Sequence, residues 1–160
     1  MSQPSERLAT LGLTLPPVTK PVGAYVPALR HGDLVFLSGQ IPMRAGQLAY
    51  QGKVGGPAGR TLAEGQEAAR LCALNAVAVA ADAAGGIDHL ARVLKVIVYV
   101  ASAPDFNDQH KVANGASELL ADIFGDAGRH ARAAVGVGEL PLNATVEVDV
   151  TFAVASRPHP

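Results

Sequence analysis

Ten residues near the C-terminal end, TVEVDVTFAV at 145–154, constrain the fold most. Val146, Val148, Val150, Phe152 and Val154 fall on one side of an extended chain, and Thr145, Glu147, Asp149 and Thr151 on the other. A segment with this period is a strand that lies against an apolar layer on one face only. Residues 92–101, RVLKVIVYVA, are instead apolar and β-branched on both alternation phases, which predicts a central strand covered on both faces.

Helices supply the covering layer. Thr61 followed by Glu64 forms a capping box, and the Ala/Leu/Val run behind it reaches Ala84 before Gly85 and Gly86 stop it. Val112, Ala116, Leu119, Leu120 and Ile123 recur at helical spacing up to Gly125, after a connector at 102–108. Two apolar runs, 25–30 and 34–38, flank His31, Gly32 and Asp33, which predicts a hairpin with a three-residue turn. Residues 132–138 form a further strand, joined to the last one by a turn at 139–143. Residues 5–12 suit a short helix, after which Pro16, Pro17 and Pro21 hold the chain extended. Between 38 and 59 glycine is dense and no period survives, so a long loop or an irregular extra strand is expected.

The order ββαβαββ predicts an α+β fold, a single mixed sheet with two helices on one face. Its other face still needs cover. The boundaries fall as an N-terminal arm at 1–21, one domain at 22–155 and a tail at 156–160. One core is expected for 160 residues, and with 49% hydrophobic but only 4% aromatic residues its filling is aliphatic.

Charge and cysteine usage exclude several classes. A formal net charge of -1 lacks the basic footprint of a nucleic-acid binder. Cys72, the single cysteine, has no disulfide partner and sits in an Ala-rich stretch, which suits a buried structural thiol. No stretch has the pattern of a secretory signal or a bilayer span, so a cytoplasmic protein is expected, without membrane or nucleic-acid partners. His31, His89, His110, His130 and His159 are scattered without metal-ligand spacing, and no metal or other cofactor is expected. His130, two residues before Arg132, is within reach of the rim of a pocket at that arginine, with strand entry as the plainer role. The stretch from Gly52 to Gly56 lacks the flanking strand and Lys-Ser/Thr of a phosphate loop.

Strand parity suggests a pocket. If Val135 and Val137 join the valines of the last strand on the helix-covered side, Arg132, Ala134, Gly136 and Gly138 point the other way, together with Glu147. A cation and a carboxylate would then line a face of small residues with room for a ligand, although a surface ion pair explains the same pattern. An arginine facing such a cleft would contribute little to stability.

The run RAAVGVGELPLNATVEVDV resembles the signature of the RidA (YjgF) family: Arg, two small residues, Val, then Leu-Pro and Val-Glu. VGAYV around Tyr25, SGQIP from Ser38 and ANGASE around Asn114 match further family blocks in the same order, across most of 22–154. The resemblance implies a chorismate-mutase-like fold, a homotrimer with active sites in clefts between subunits, and cover for the bare sheet face. It implies a deaminase hydrolysing reactive enamines or imines such as 2-aminoacrylate or 2-iminobutanoate to 2-oxo acids and ammonia. Carried over by motif position, Arg132 clamps the substrate carboxylate and Glu147 orients or activates water, while Tyr25, Ser38, Gly39, Asn114 and Ala134 shape the binding pocket. Many short family members carry Cys or Ser where this chain has Ala134, and the arm at 1–21 makes this chain longer. The alternative is a non-catalytic trimer of the same family that binds a small carboxylate. The ribonuclease activity also attached to the family is disfavoured by the charge and the lack of a His pair.

Overall fold

A computed structural model describes residues 2–18, 21 and 23–155. Three α-helices, α1 (Pro4–Thr10), α2 (Leu62–Ala84) and α3 (Gln109–Phe124), accompany seven strands among these residues. The strands are β1 (Ala28–His31), β2 (Leu34–Leu37), β3 (Met43–Arg44), β4 (Gln47–Leu48), β5 (Leu90–Ala101), β6 (Ala131–Val137) and β7 (Val146–Val154). Five of them form one sheet in the order β1-β2-β7-β5-β6, mixed because only β5 and β6 run parallel, with α3 as their crossover. The glycine-dense stretch contains a separate two-stranded ribbon, β3 with β4.

The local signals act where expected. Thr61 Oγ1 accepts from the Glu64 backbone N–H while the Glu64 carboxylate accepts from the Thr61 N–H, and Gly85 ends α2 in the left-handed region at φ 83°. The first hairpin is tighter than its sequence suggests: His31 pairs with Leu34, so the turn holds only Gly32 and Asp33. Gly32 at φ 58° makes that two-residue turn accessible. The arm is anchored, since Ser5 donates from both N and Oγ to the Asp88 carboxylate and Leu8 is buried in the core.

The core lies between the sheet and helices α2 and α3. Val146, Val148, Val150, Phe152 and Val154 are all buried there, opposite Val96, Val98 and Val100 of β5. Cys72 is fully buried in α2, and burial raises its thiol pKa well above the ordinary value. The opposite face of the sheet is open. Pairing places Leu29, Phe36, Thr151 and Lys95 in one row across it, and Leu29, Phe36 and Val135 stay 60%, 43% and 41% exposed.

The parity expected of β6 is overturned. Val96 pairs with both Arg132 and Val150, and Val98 with both Ala134 and Val148, so Arg132, Ala134 and Gly136 face the helices. Tyr99 pairs with both Val135 and Glu147, which puts Val135 on the open face. The reason is packing at an edge strand. Gln109 of α3 lies over the far end of β6, where a Cβ at Gly136 would press on its Nε2 at 2.7 Å. Small residues therefore mark the helix side of β6, where Gly136 itself stays exposed, and Val135 marks the side left open.

No helix among the described residues is long and apolar enough to cross a membrane. His159 and the rest of 156–160 lie outside the described residues.

Candidate functional site

Seven residues were singled out by sequence, and they gather into two groups on opposite faces of the sheet. The first group is Arg132, Asn114 and Ala134, on the helix side. Arg132 Nη1 donates to Asn114 Oδ1 at 2.9 Å and to Ser117 Oγ at 3.1 Å, and Nη2 donates to the His110 carbonyl at 3.1 Å. All three acceptors belong to α3, where His110, Asn114 and Ser117 repeat at i, i+4 and i+7 on one helix face. A guanidinium carries five N–H groups, so Nε–H and one Nη2–H remain without a partner among the described residues. Ala134 stands two residues further along the same face of β6 and packs against the core.

Sequence reasoning did not single out Ser117, and it gave His130 a strand entry in preference to a place at the pocket rim. His130 Nε2 lies 3.0 Å from Ser117 Oγ, and His130 Nδ1 lies 2.6 Å from the Gly128 carbonyl. Burial, with the Arg132 charge, lowers the His130 pKa below its ordinary value of 6.5 despite the Gly128 contact, which works the other way. A shallow surface hollow of about 290 Å³, largely open to solvent, lies here, lined by Ser117, Ala121, Gly128, Arg129, His130 and Arg132. The polar stripe on α3 was the available signal, because Ser117 falls one turn beyond Asn114 on the face that meets β6.

The second group is Glu147, Gly39, Ser38 and Tyr25. Phe36 pairs with Thr151 and Gln40 bridges to Val148, so four steps along the β2 side match three along β7. The extra residue is a bulge at 38–39. The Glu147 carboxylate occupies the space that a Cβ at Gly39 would fill, which is why glycine suits that position. Ser38 Oγ donates to the Val26 carbonyl at 2.6 Å and so ties down the segment that carries Tyr25, itself 56% exposed. Burial raises the Glu147 pKa and the nearby Asp149 charge adds to it; burial alone raises Asp149. Glu147 is thus a half-buried carboxylate with no hydrogen-bond donor among the described residues, suited to hold or accept a proton.

The two groups do not form one pocket in a single chain. Tyr99 sits between Glu147 and Val135 on the open face, whereas Arg132 points through to α3. Among the described residues no three His, Cys, Asp or Glu side chains come close enough to hold a metal ion.

A family described as "YjgF/chorismate_mutase-like, putative endoribonuclease" matches residues 5–154. Protein TCP17 of Trypanosoma cruzi is 45% identical over 143 residues, 89% of this chain and 88% of its own length. A 2-iminobutanoate/2-iminopropanoate deaminase of Dermatophagoides farinae is 31% identical, covering 86% of this chain and 91% of its own. Among solved structures, a "putative endoribonuclease" from Shewanella oneidensis superposes with a TM-score of 0.91 at 35% identity, over 96% of this chain and all of its own. E. coli TdcF with bound serine gives a TM-score of 0.60 at 26% identity, over 86% and 92%. With that coverage and the fold on which it rests, the chain belongs to the RidA (YjgF) family, with its chorismate-mutase-like architecture.

Proposed function

We propose that the protein hydrolyses small imines derived from amino acids, and the enamines in equilibrium with them, to 2-oxo acids and ammonia. The observation that carries this reading is the state of Arg132. Three of its N–H groups are fixed on α3 and two are left over, beside an open hollow, so the guanidinium is pre-oriented for a planar carboxylate. Serine bound to TdcF is an amino acid with such a carboxylate, and the Dermatophagoides farinae relative is a deaminase of this kind.

The chemistry needs water, a proton acceptor and little else. An enamine becomes an imine by gaining a proton at C3 and losing one from nitrogen. Water then adds at C2, one of its protons passing by way of the Glu147 carboxylate to the imine nitrogen to give an amino alcohol, which collapses to the 2-oxo acid as the carboxylate takes the hydroxyl proton and delivers it to the departing nitrogen. One water is consumed and one ammonia released, with no redox change. A carboxyl held above its ordinary pKa suits both proton transfers.

Because Arg132 and Glu147 lie on opposite faces, the reading requires two copies of the chain. The Arg132 group of one copy meets the Glu147 group of its neighbour, and the open face bearing Leu29, Phe36 and Val135 is covered in a homotrimer. Nucleic acid is not expected as substrate, since a net charge of -1 does not attract phosphate chains. Incubating the purified protein with freshly generated 2-iminobutanoate tests the reading. Accelerated ammonia release supports it; tight carboxylate binding with no acceleration makes the protein a binding trimer instead.

A further inference from the structure

We propose that His130 is a positioning residue, which orients Arg132 through the hydroxyl of Ser117. The inference rests on the reading of Arg132 as the carboxylate anchor and adds His130, which lies outside the matching family blocks, together with a role for Ser117. Direction along the chain of hydrogen bonds is fixed at both ends. A carbonyl can only accept, so His130 Nδ1, 2.6 Å from the Gly128 oxygen, carries the proton. In the neutral ring Nε2 is then an acceptor, and at 3.0 Å the Ser117 hydroxyl must donate to it. Arg132 can only donate, so its Nη1, 3.1 Å away, points at the Ser117 lone pair.

The histidine removes a choice that serine would otherwise have. A helical serine hydroxyl readily turns back to bond a carbonyl of its own preceding turn, or here could compete with Nη1 for Asn114 Oδ1. With its hydrogen held by His130, Ser117 presents only lone pairs to the arginine. Nη1 is then fully engaged, by Ser117 and by Asn114 at 2.9 Å, and rotation about the Cζ bonds would break both contacts and the one to His110. The unengaged N–H pair is thereby aimed in one direction. Burial keeps His130 neutral, which this arrangement requires. Ser117, His130 and Arg132 all line the same hollow, so the relay ends where a ligand would bind.

The test compares His130→Phe, which keeps the ring but has no acceptor, with His130→Gln, whose amide oxygen can stand near Nε2. Ser117→Ala and the Ser117→Ala/His130→Phe pair complete a double-mutant cycle. With 2-iminobutanoate, His130→Phe and Ser117→Ala should each raise KM about tenfold with kcat little changed, and the pair should be no worse than either alone. His130→Gln should stay within about threefold of the parent. Nitrogen-15 NMR of the Arg132 guanidinium supplies a readout independent of turnover: slow rotation in the parent and in His130→Gln, fast rotation in His130→Phe and Ser117→Ala. Losses that multiply in the pair, or Arg132 signals unaffected by His130→Phe, overturn the proposal. If the parent releases no ammonia, the deaminase reading fails, and the NMR comparison still decides the relay.

Discussion

Arg132 and Glu147 lie on opposite faces of one sheet, tied to each other only through the β6-β5-β7 pairing. Any reaction that uses both must be assembled from two copies of the chain. Arg132→Ala and Glu147→Gln chains should therefore each be inactive alone and recover activity when unfolded and refolded together. In a closed ring, random mixing leaves roughly a quarter of the clefts with both residues intact. Activity near that share supports the shared site, and no recovery would place the reaction within one chain.

Arg132 contributes to stability as well as to binding. The sequence places it against a cleft, where its loss costs little, but three hydrogen bonds join it to α3. Arg132→Ala leaves Asn114 Oδ1 and the His110 carbonyl without their charged donor and should cost about 1–3 kcal/mol. Thermal melting checks this: a Tm within a degree of the parent would show that water replaces the guanidinium freely.

Glu147 should show the reverse trade. Its carboxyl is raised above the ordinary 4.5, so between that value and the raised one the folded chain binds more protons than the unfolded chain. Stability is then lost as pH rises through this window. Glu147→Gln removes the loss, and the variant should melt at or above the parent at neutral pH, the two converging at about pH 4, while turnover falls by ~10²-fold or more. A variant that is less stable at neutral pH would reveal a cationic partner for Glu147.

Gly39→Ala tests the bulge. Its Cβ would displace the end of the Glu147 side chain, a flexible group, so the fold should survive and turnover should fall toward that of Glu147→Gln. Gly115→Ala differs, because its Cβ meets the Gln66 backbone where α2 and α3 cross. Overpacking there should destabilise by about 1–3 kcal/mol and shift Asn114 with it. Circular dichroism melts and ammonia assays on the two variants separate these effects.

Much of this was legible in the sequence. The alternation at 145–154 and the capping box at Thr61 and Glu64 gave the last strand and the first long helix within a residue, because both are local effects. The parity of β6 was not legible, since valine marks the buried side only when the helix layer is what buries it. There the close approach of Gln109 to Gly136 reverses the rule. Ser117 escaped, and the pocket-rim role of His130 ranked below strand entry, because their pairing joins a helix to the loop before β6, a contact with no sequence period.

The central claim is that Arg132 anchors the carboxylate of an imine that this protein hydrolyses. The most direct measurement is kcat/KM for ammonia release from 2-iminobutanoate by the parent and by Arg132→Lys, which preserves the charge and removes the paired N–H geometry. The account predicts an active parent and a loss of about tenfold to a hundredfold in the variant, the equivalent of one charge-assisted hydrogen bond. A parent no faster than the uncatalysed reaction, or a lysine variant equal to it, would contradict the account.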